Sequence, residues 1–406
     1  MKMLLFGAGA SIPFYPSLNT DYVTRQIKEH KCWINVIELY NKYANITFNS
    51  NEITDLIDTI CNKEPKANFE DICGFIDAIA NTLLHPEIYG KVNKFGNIIH
   101  ILQTCNILNI AQKFQRNIEH LPYIYRCLIV DAIIKAPSIP NYQEIIALQA
   151  DFINFFLGND ETSSIISLNY DDVLNDSIGF KYYNGFNNNI HKISPFSVEE
   201  YFNSNHTISY LHGSIRFYCP FLDIHYSREN VPTIAERIQG LFSQHIRPLI
   251  TENFSYNTFI TTGIEKNTSL DYLPYNYYYT KFARDICQTN TIISIGYSFR
   301  DQHVNRILSP YLKINKQNII IVVDFYEKDI DCDDEDIFDN IIVEIFKTFS
   351  IEDFPSENND NIRRINSLGY GYLSPQIVFY KKGYGVFLEE YKQVIEYCRT
   401  NKYIKE

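Results

Sequence analysis

Residues 1–18 read MKMLLFGAGASIPFYPSL. A four-residue apolar run, Met3 to Phe6, is followed by Gly7, Ala8, Gly9, Ala10 and Ser11, none of them bulky. The run has the length and composition of one strand buried on both faces. The small residues after it let another group come close to the backbone. Glycines there permit a tight turn and allow N–H groups to meet a pyrophosphate at a helix N-terminus. Ile12 stands where the third glycine of G-x-G-x-x-G belongs, so the stretch is half of a dinucleotide-binding signature. Read alone, it is equally a tight turn packed by small side chains.

Further β-rich apolar runs lie at 164–168 (SIISL), 207–211 (TISYL), 258–262 (TFITT), 291–297 (TIISIGY) and 318–325 (NIIIVVDF). Each is short and is followed by a polar or glycine-containing loop. That order predicts α/β units in a parallel sheet, with ligands at the carboxyl ends of the strands. Between residues 20 and 158 the texture changes: 21–30, 68–84, 123–135 and 142–158 repeat apolar residues at three- and four-residue steps, as amphipathic helices do. The expected organisation is therefore an α/β core from 1–20 plus 160–350, a helical insertion over 21–159, and a C-terminal extension over 351–406 packing on the core. The carboxylate run at 329–340 (DIDCDDEDIFDN) reads as a solvated loop or helix start, without the ordered spacing of a metal site.

Composition narrows the class. The net charge of −12 removes the overall basic footprint of a nucleic-acid binder. Nine cysteines contain no C-x-x-C pair, which argues against a zinc ribbon and for buried free thiols in a reducing cytoplasm. The opening apolar run of four residues is shorter than the roughly 7–15 of a secretory h-region. No stretch reaches the ~18 apolar residues of a membrane span. A cytoplasmic protein without membrane contact is expected.

Three strand ends carry polar groups: SLNYDD after 168, YLHGS after 211 and GYSFRDQHVN after 295. With the first turn, they resemble the sirtuin-like superfamily, and most of all its bacterial NAD-cleaving branch associated with phage defence. The resemblance covers a Rossmann-like core near 1–20 and 160–325. It implies that Gly7, Ala8, Gly9, Ala10 and Ser11 hold the NAD phosphates. Asn169 and Asp171 match the family's Asn-x-Asp, which grips the nicotinamide ribose and carboxamide. His212, followed by Gly213, matches the catalytic His-Gly. Gly296 and Ser298 match the later Gly-x-Ser on the phosphate and ribose side. Asp301 and Asn305 fit the ending of the prokaryotic motif, and NFEDI at 68–72, Gly263 and Lys266 also look like that branch. The protein-deacylating relatives carry paired C-x-x-C motifs and a Gly-Ile-Pro-Asp-Phe-Arg stretch; this chain has neither, which places deacylation in doubt.

The chemistry of these residue types suits that implication. An amide such as Asn169 both donates and accepts, so it can hold a ribose hydroxyl and a water. His212 can act as a general base near neutral pH, and Asp171 can accept from a carboxamide NH2. Asp324, ending the run at 318–325, can meet the adenine ribose hydroxyls. Each has a plainer reading too: His212 as a hydrogen-bonded core histidine, Asn169 as the cap of a helix starting at Tyr170, Gly296 to Ser298 as a strand-to-helix turn.

The expected fold class is thus α/β, a Rossmann-like parallel sheet with a large helical insertion after the first strand. The expected activity is cleavage of NAD+ to nicotinamide and ADP-ribose, with NAD+ as substrate, no cofactor and no zinc. The alternatives are a sensing module for NAD or an ADP-ribose derivative, and a deacylase. The 59 Tyr and Phe residues together favour a homo-oligomer, since aromatic rings are enriched at interface cores. The resemblance adds a translocase-type ATPase partner encoded nearby.

Overall fold

The computed structural model describes residues 1–29, 33–44, 50–84, 120–158, 160–179, 181–186, 196–218, 224–242, 259–262, 273–330, 341–352 and 360–400. Its centre is a seven-stranded sheet. The strands are β1 (Lys2–Phe6), β2 (Ser163–Ser167), β3 (His206–Tyr210), β6 (Thr291–Ile295), β7 (Ile319–Val323), β8 (Tyr370–Ser374) and β9 (Ile377–Tyr380), in the order β3-β2-β1-β6-β7-β9-β8. A separate two-stranded ribbon joins β4 (Phe217–Tyr218) to β5 (His225–Tyr226). All pairs of the large sheet are parallel except β8 with β9. Strands β2, β6 and β7 are buried along their whole length, as strands covered on both faces are, and β7 is a continuous apolar run.

Among the described residues, the chain between β1 and β2 is helical. It forms α1 (Thr20–Lys28), α2 (Trp33–Ala44), α3 (Ser50–Lys63), α4 (Phe69–Leu84), α5 (Leu121–Ile134) and α6 (Tyr142–Leu157). This is a mixed α/β, Rossmann-like architecture with a helical insertion, as the strand and helix patterns predict. A fully buried ion pair binds the insertion together. Arg126 on α5 meets Asp77 on α4 through two hydrogen bonds of 2.9 Å each, and also donates to the Thr262 carbonyl at 3.2 Å.

Three local expectations change. The run at 258–262 is no sheet strand: its described part contributes one isolated bridge, Ile260 to Gly213. The sheet continues past residue 350, since β8 and β9 complete one edge and α15 (Tyr384–Thr400) returns against α6, with Phe152 meeting Tyr384, Phe387 and Tyr391 edge-on. The turn after β1 is a short 3-10 segment over Ala8–Ser11, and the first α-helix begins only at Thr20. Pro13 and Pro16 lack the N–H that an α-helix would need there. The carboxylates at 331–340, together with Gly263 and Lys266, lie outside the described residues.

The sheet order reverses between β1 and β6, and this is where a crevice opens in such sheets. The two strand ends touch through backbone. The N–H groups of Gly7 and Gly9 donate to the carbonyls of Ile295 and Gly296, each at 2.9 Å. A Cβ on Gly9 would lie 2.8 Å from the Gly296 Cα, and one on Gly7 would lie 2.6 Å from the Gly296 oxygen. Gly296 itself sits at φ +60, where a side chain is strained. The small residues therefore serve first to bring β1 and β6 together. Gly9→Val is expected to lower thermal stability by several degrees, because backbone must shift to admit it. A melting curve matching wild type would show that the turn has room to spare.

Candidate active site

A cavity of about 550 Å3 lies over the crevice, within the range of small-molecule sites. Of the residues singled out in the sequence, Gly7, Ala8, Gly9, Ser11, Asn169, Asp171, His212, Gly296, Ser298 and Asp324 all line it. Four separate strand ends, 160 residues or more apart in part, thus converge on one space. Ala10 is the exception. It is 3% exposed, packs in the core, and gives its N–H to the Gly7 carbonyl.

The first turn does not present a row of waiting N–H donors. Those of Gly7, Gly9 and Ala10 all bond to protein carbonyls. The Ser11 hydroxyl is likewise engaged: it donates to Asp171 Oδ2 at 2.5 Å and accepts from Asn169 Nδ2 at 2.9 Å. Ser11 in this structure orients Asn169 and Asp171. The cavity's lining includes a guanidinium, that of Arg300, the one Lys or Arg side chain among the described lining residues.

Strands β2 and β3 run parallel and in register, Ser167 opposite Tyr210, which sets Asn169 and His212 side by side two residues beyond. Asn169 does not cap a helix. The following helix, α7 (Val173–Ile178), starts four residues later, and Asp171 Oδ1 accepts the Val173 N–H at 3.1 Å. With its NH2 group tied to Ser11, Asn169 is left with a buried Oδ1 that has no hydrogen-bond partner among the described residues. A buried acceptor left empty costs about 1–3 kcal/mol, and a ligand donor relieves it. Burial pushes the Asp171 carboxyl above its usual range, against the lowering effect of the Ser11 and Val173 hydrogen bonds.

His212 is 7% exposed and its Nε2 lies 3.0 Å from Asp301 Oδ2. It is thus both hydrogen-bonded and on the cavity wall. Asp301 is where sequence reading falls short: it stands in the last motif, yet nothing in a 89-residue separation signals contact with His212. The insertion reaches the site as well. Phe69 and Glu70 open α4 at the cavity wall, and Glu70 accepts from the Tyr170 hydroxyl at 3.3 Å. The NFEDI segment places them there because Asn68 Oδ1 accepts the N–H groups of Glu70 and Asp71 and so starts the helix. The Thr261 N–H donates to the His212 carbonyl at 2.8 Å, beside the Thr262 carbonyl that Arg126 holds.

Residues 163–341 match the family model of the SIR2-like domain. This match, over less than half of the chain, supports a sirtuin-like superfamily member. The SIR2-like match begins at β2 and leaves out β1 with its glycine turn, which the sheet nevertheless sets at the centre of the site. No curated protein matches the chain. Among the described residues no helix is long and apolar enough to cross a membrane, and no group of three or more His, Cys, Asp or Glu is arranged to hold a metal ion.

Asp324 ends β7 at the edge of the SIR2-like cavity, and burial pushes its carboxyl up to about 6. Its folded value therefore exceeds its unfolded one. The stability it contributes is highest below about 4 and is lost as pH rises through about 6. Asp324→Asn keeps an oxygen for the Phe325 N–H, which Asp324 Oδ1 accepts at 2.7 Å. The variant is expected to be more stable than wild type by roughly 1–3 kcal/mol at pH 8, allowing for partial exposure. That difference should shrink towards zero by pH 4. Denaturant unfolding at both pH values measures it, and a pH-independent difference would contradict the assignment.

Proposed function

We propose that this chain is an NAD+ glycohydrolase, releasing nicotinamide and ADP-ribose. The carrying observation is Asn169: its NH2 group is held by Ser11, and its buried Oδ1 lacks a partner among the described residues, beside His212 in the same cavity. The SIR2-like match fits NAD-related chemistry at the level of the family.

In this reading Asn169 Oδ1 accepts from a ribose hydroxyl or from the attacking water. The bond between ribose C1′ and the pyridinium nitrogen breaks, and its electron pair neutralises the departing nicotinamide. Water adds to C1′ and gives its proton to His212. The carboxylates of Asp171 and Glu70, both on the cavity wall, favour a positively charged ring and the cationic sugar that follows it. Arg300 meets the pyrophosphate, a task the occupied N–H groups of the first turn leave open. Asp324 accepts from the adenine ribose. Deacylation is disfavoured by the absence of any C-x-x-C pair. The resemblance to defence-associated relatives supports a toxic-effector role, with homo-oligomer assembly and a translocase-type ATPase partner to control it.

Incubating the purified chain with NAD+ and separating products by chromatography tests the proposal. Nicotinamide should appear without any acyl-lysine peptide. His212→Ala is expected to lose about 10²–10⁴-fold in turnover while still binding NAD+, and Asn169→Ala should lose at least as much. Binding without product in the wild type would leave a sensing module. Product only with an acyl-lysine peptide would identify a deacylase.

A further inference from the structure

We propose that Asp301 is the positioning residue of this site, keeping the proton of neutral His212 on Nε2 so that Nδ1 is the base. The inference rests on the hydrolase reading for its kinetic consequence, but its structural part stands on the geometry of one carboxylate.

Asp301 is fixed before the imidazole meets it. Its Oδ1 accepts the N–H groups of His303 at 2.9 Å and Val304 at 3.2 Å, which caps α11 (Gln302–Leu308). The turn leading to it is locked in an unusual shape, with Phe299 fully buried at φ +57. Asn305, one turn along α11, holds that shape: its Nδ2 donates to the Phe299 carbonyl at 2.6 Å, and its Oδ1 accepts from the Tyr297 hydroxyl at 2.6 Å. The second carboxylate oxygen, Oδ2, is thereby aimed at His212 Nε2, 3.0 Å away.

The charge of the carboxylate decides the tautomer. Two backbone N–H groups on one oxygen favour the ionised form. An ionised carboxylate only accepts hydrogen bonds, so the nitrogen facing it must carry the proton. In a neutral imidazole the other nitrogen then holds the lone pair. Nδ1 has no hydrogen-bond partner among the described residues, and His212 lines the cavity with Asn169. When Nδ1 takes a proton, the resulting imidazolium is already paired with Asp301, which is how a buried aspartate assists a histidine base in acyl-transfer triads.

The other titratable and charged groups around this pair are few. Tyr170 flanks the imidazole, ring centroids 6.4 Å apart, and leads to Glu70. Tyr279, on α10 (Tyr275–Ile286), and Tyr297 have phenols pushed up by burial and further by the Asp301 charge, so both stay neutral. Arg300 adjoins Asp301 on the cavity wall. None replaces the carboxylate at Nε2.

Asp301→Asn in the full chain tests the proposal. Asparagine caps a helix about as well as aspartate, so α11 should persist. Its NH2 group, turned to Nε2, instead favours the tautomer with the proton on Nδ1. NAD+ turnover is expected to fall about 10²–10⁴-fold with KM nearly unchanged. Asp301→Ser, which also caps but can donate or accept, should fall between the two and guards against a folding artefact. Nitrogen-15 histidine NMR reads the tautomer without any turnover: Nε2–H in wild type, Nδ1–H in Asp301→Asn. A tautomer swap in a chain that never cleaves NAD+ would support the positioning role and overturn the hydrolase reading. A neutral wild-type His212 protonated on Nδ1, or an Asp301→Asn chain turning over at the wild-type rate, would overturn the proposal.

Discussion

The site exists because two backbone turns can touch. The N–H of Gly9 reaches the carbonyl of Gly296 at 2.9 Å, and neither position has room for a Cβ. That contact closes β1 onto β6 where the order of the sheet reverses, and so forms the floor of the cavity. Any side chain there would pry the two strands apart. The N–H groups of Gly7 and Gly9 are spent in this contact.

Over that floor, short-range networks hold several cavity-lining groups by partners from distant segments. Ser11 from the first turn holds both Asn169 and Asp171 from the end of β2. Asp301 after β6 holds His212 at the end of β3. The helical insertion adds Glu70 to Tyr170, and through Arg126 it fastens the Thr262 carbonyl beside the residue that pins His212. The fully buried Arg126–Asp77 pair makes that fastening stiff, since removing either partner leaves an uncompensated buried charge at a cost of about 3–5 kcal/mol. The insertion is therefore part of the cavity wall, and two hydrogen bonds link it to the segment that carries His212.

The rim is mostly acidic. Among the described residues, Glu70, Asp171, Asp301 and Asp324 line the same space as a single guanidinium, Arg300. Burial raises Asp171 and Asp324, because desolvation penalises a charge that no cation fully offsets. A ligand that carries positive charge at one end and phosphate at the other matches such a distribution better than a simple anion does.

Much of this was legible in one dimension. Short apolar runs ending in small or polar residues identify the parallel strands, because a strand covered on both faces has nowhere to place a charge. Gly7, Gly9, Asn169, His212 and Gly296 stand out because they interrupt those runs at their carboxyl ends. The strands β8 and β9 were not legible: YGYLS and IVFY mix aromatics with glycine and serve a sheet edge, where the pattern is weak. The use of each residue was not legible either. Whether Ser11 meets a phosphate or a carboxylate, whether Ala10 faces a ligand or the core, and which group faces the His212 imidazole all depend on how segments up to 160 residues apart are brought together. Local sequence sets which backbone conformations and which hydrogen-bonding groups are present. Only the folded sheet decides which of those groups meet, because a hydrogen bond needs partners within about 3 Å and residue order along the chain does not encode that distance.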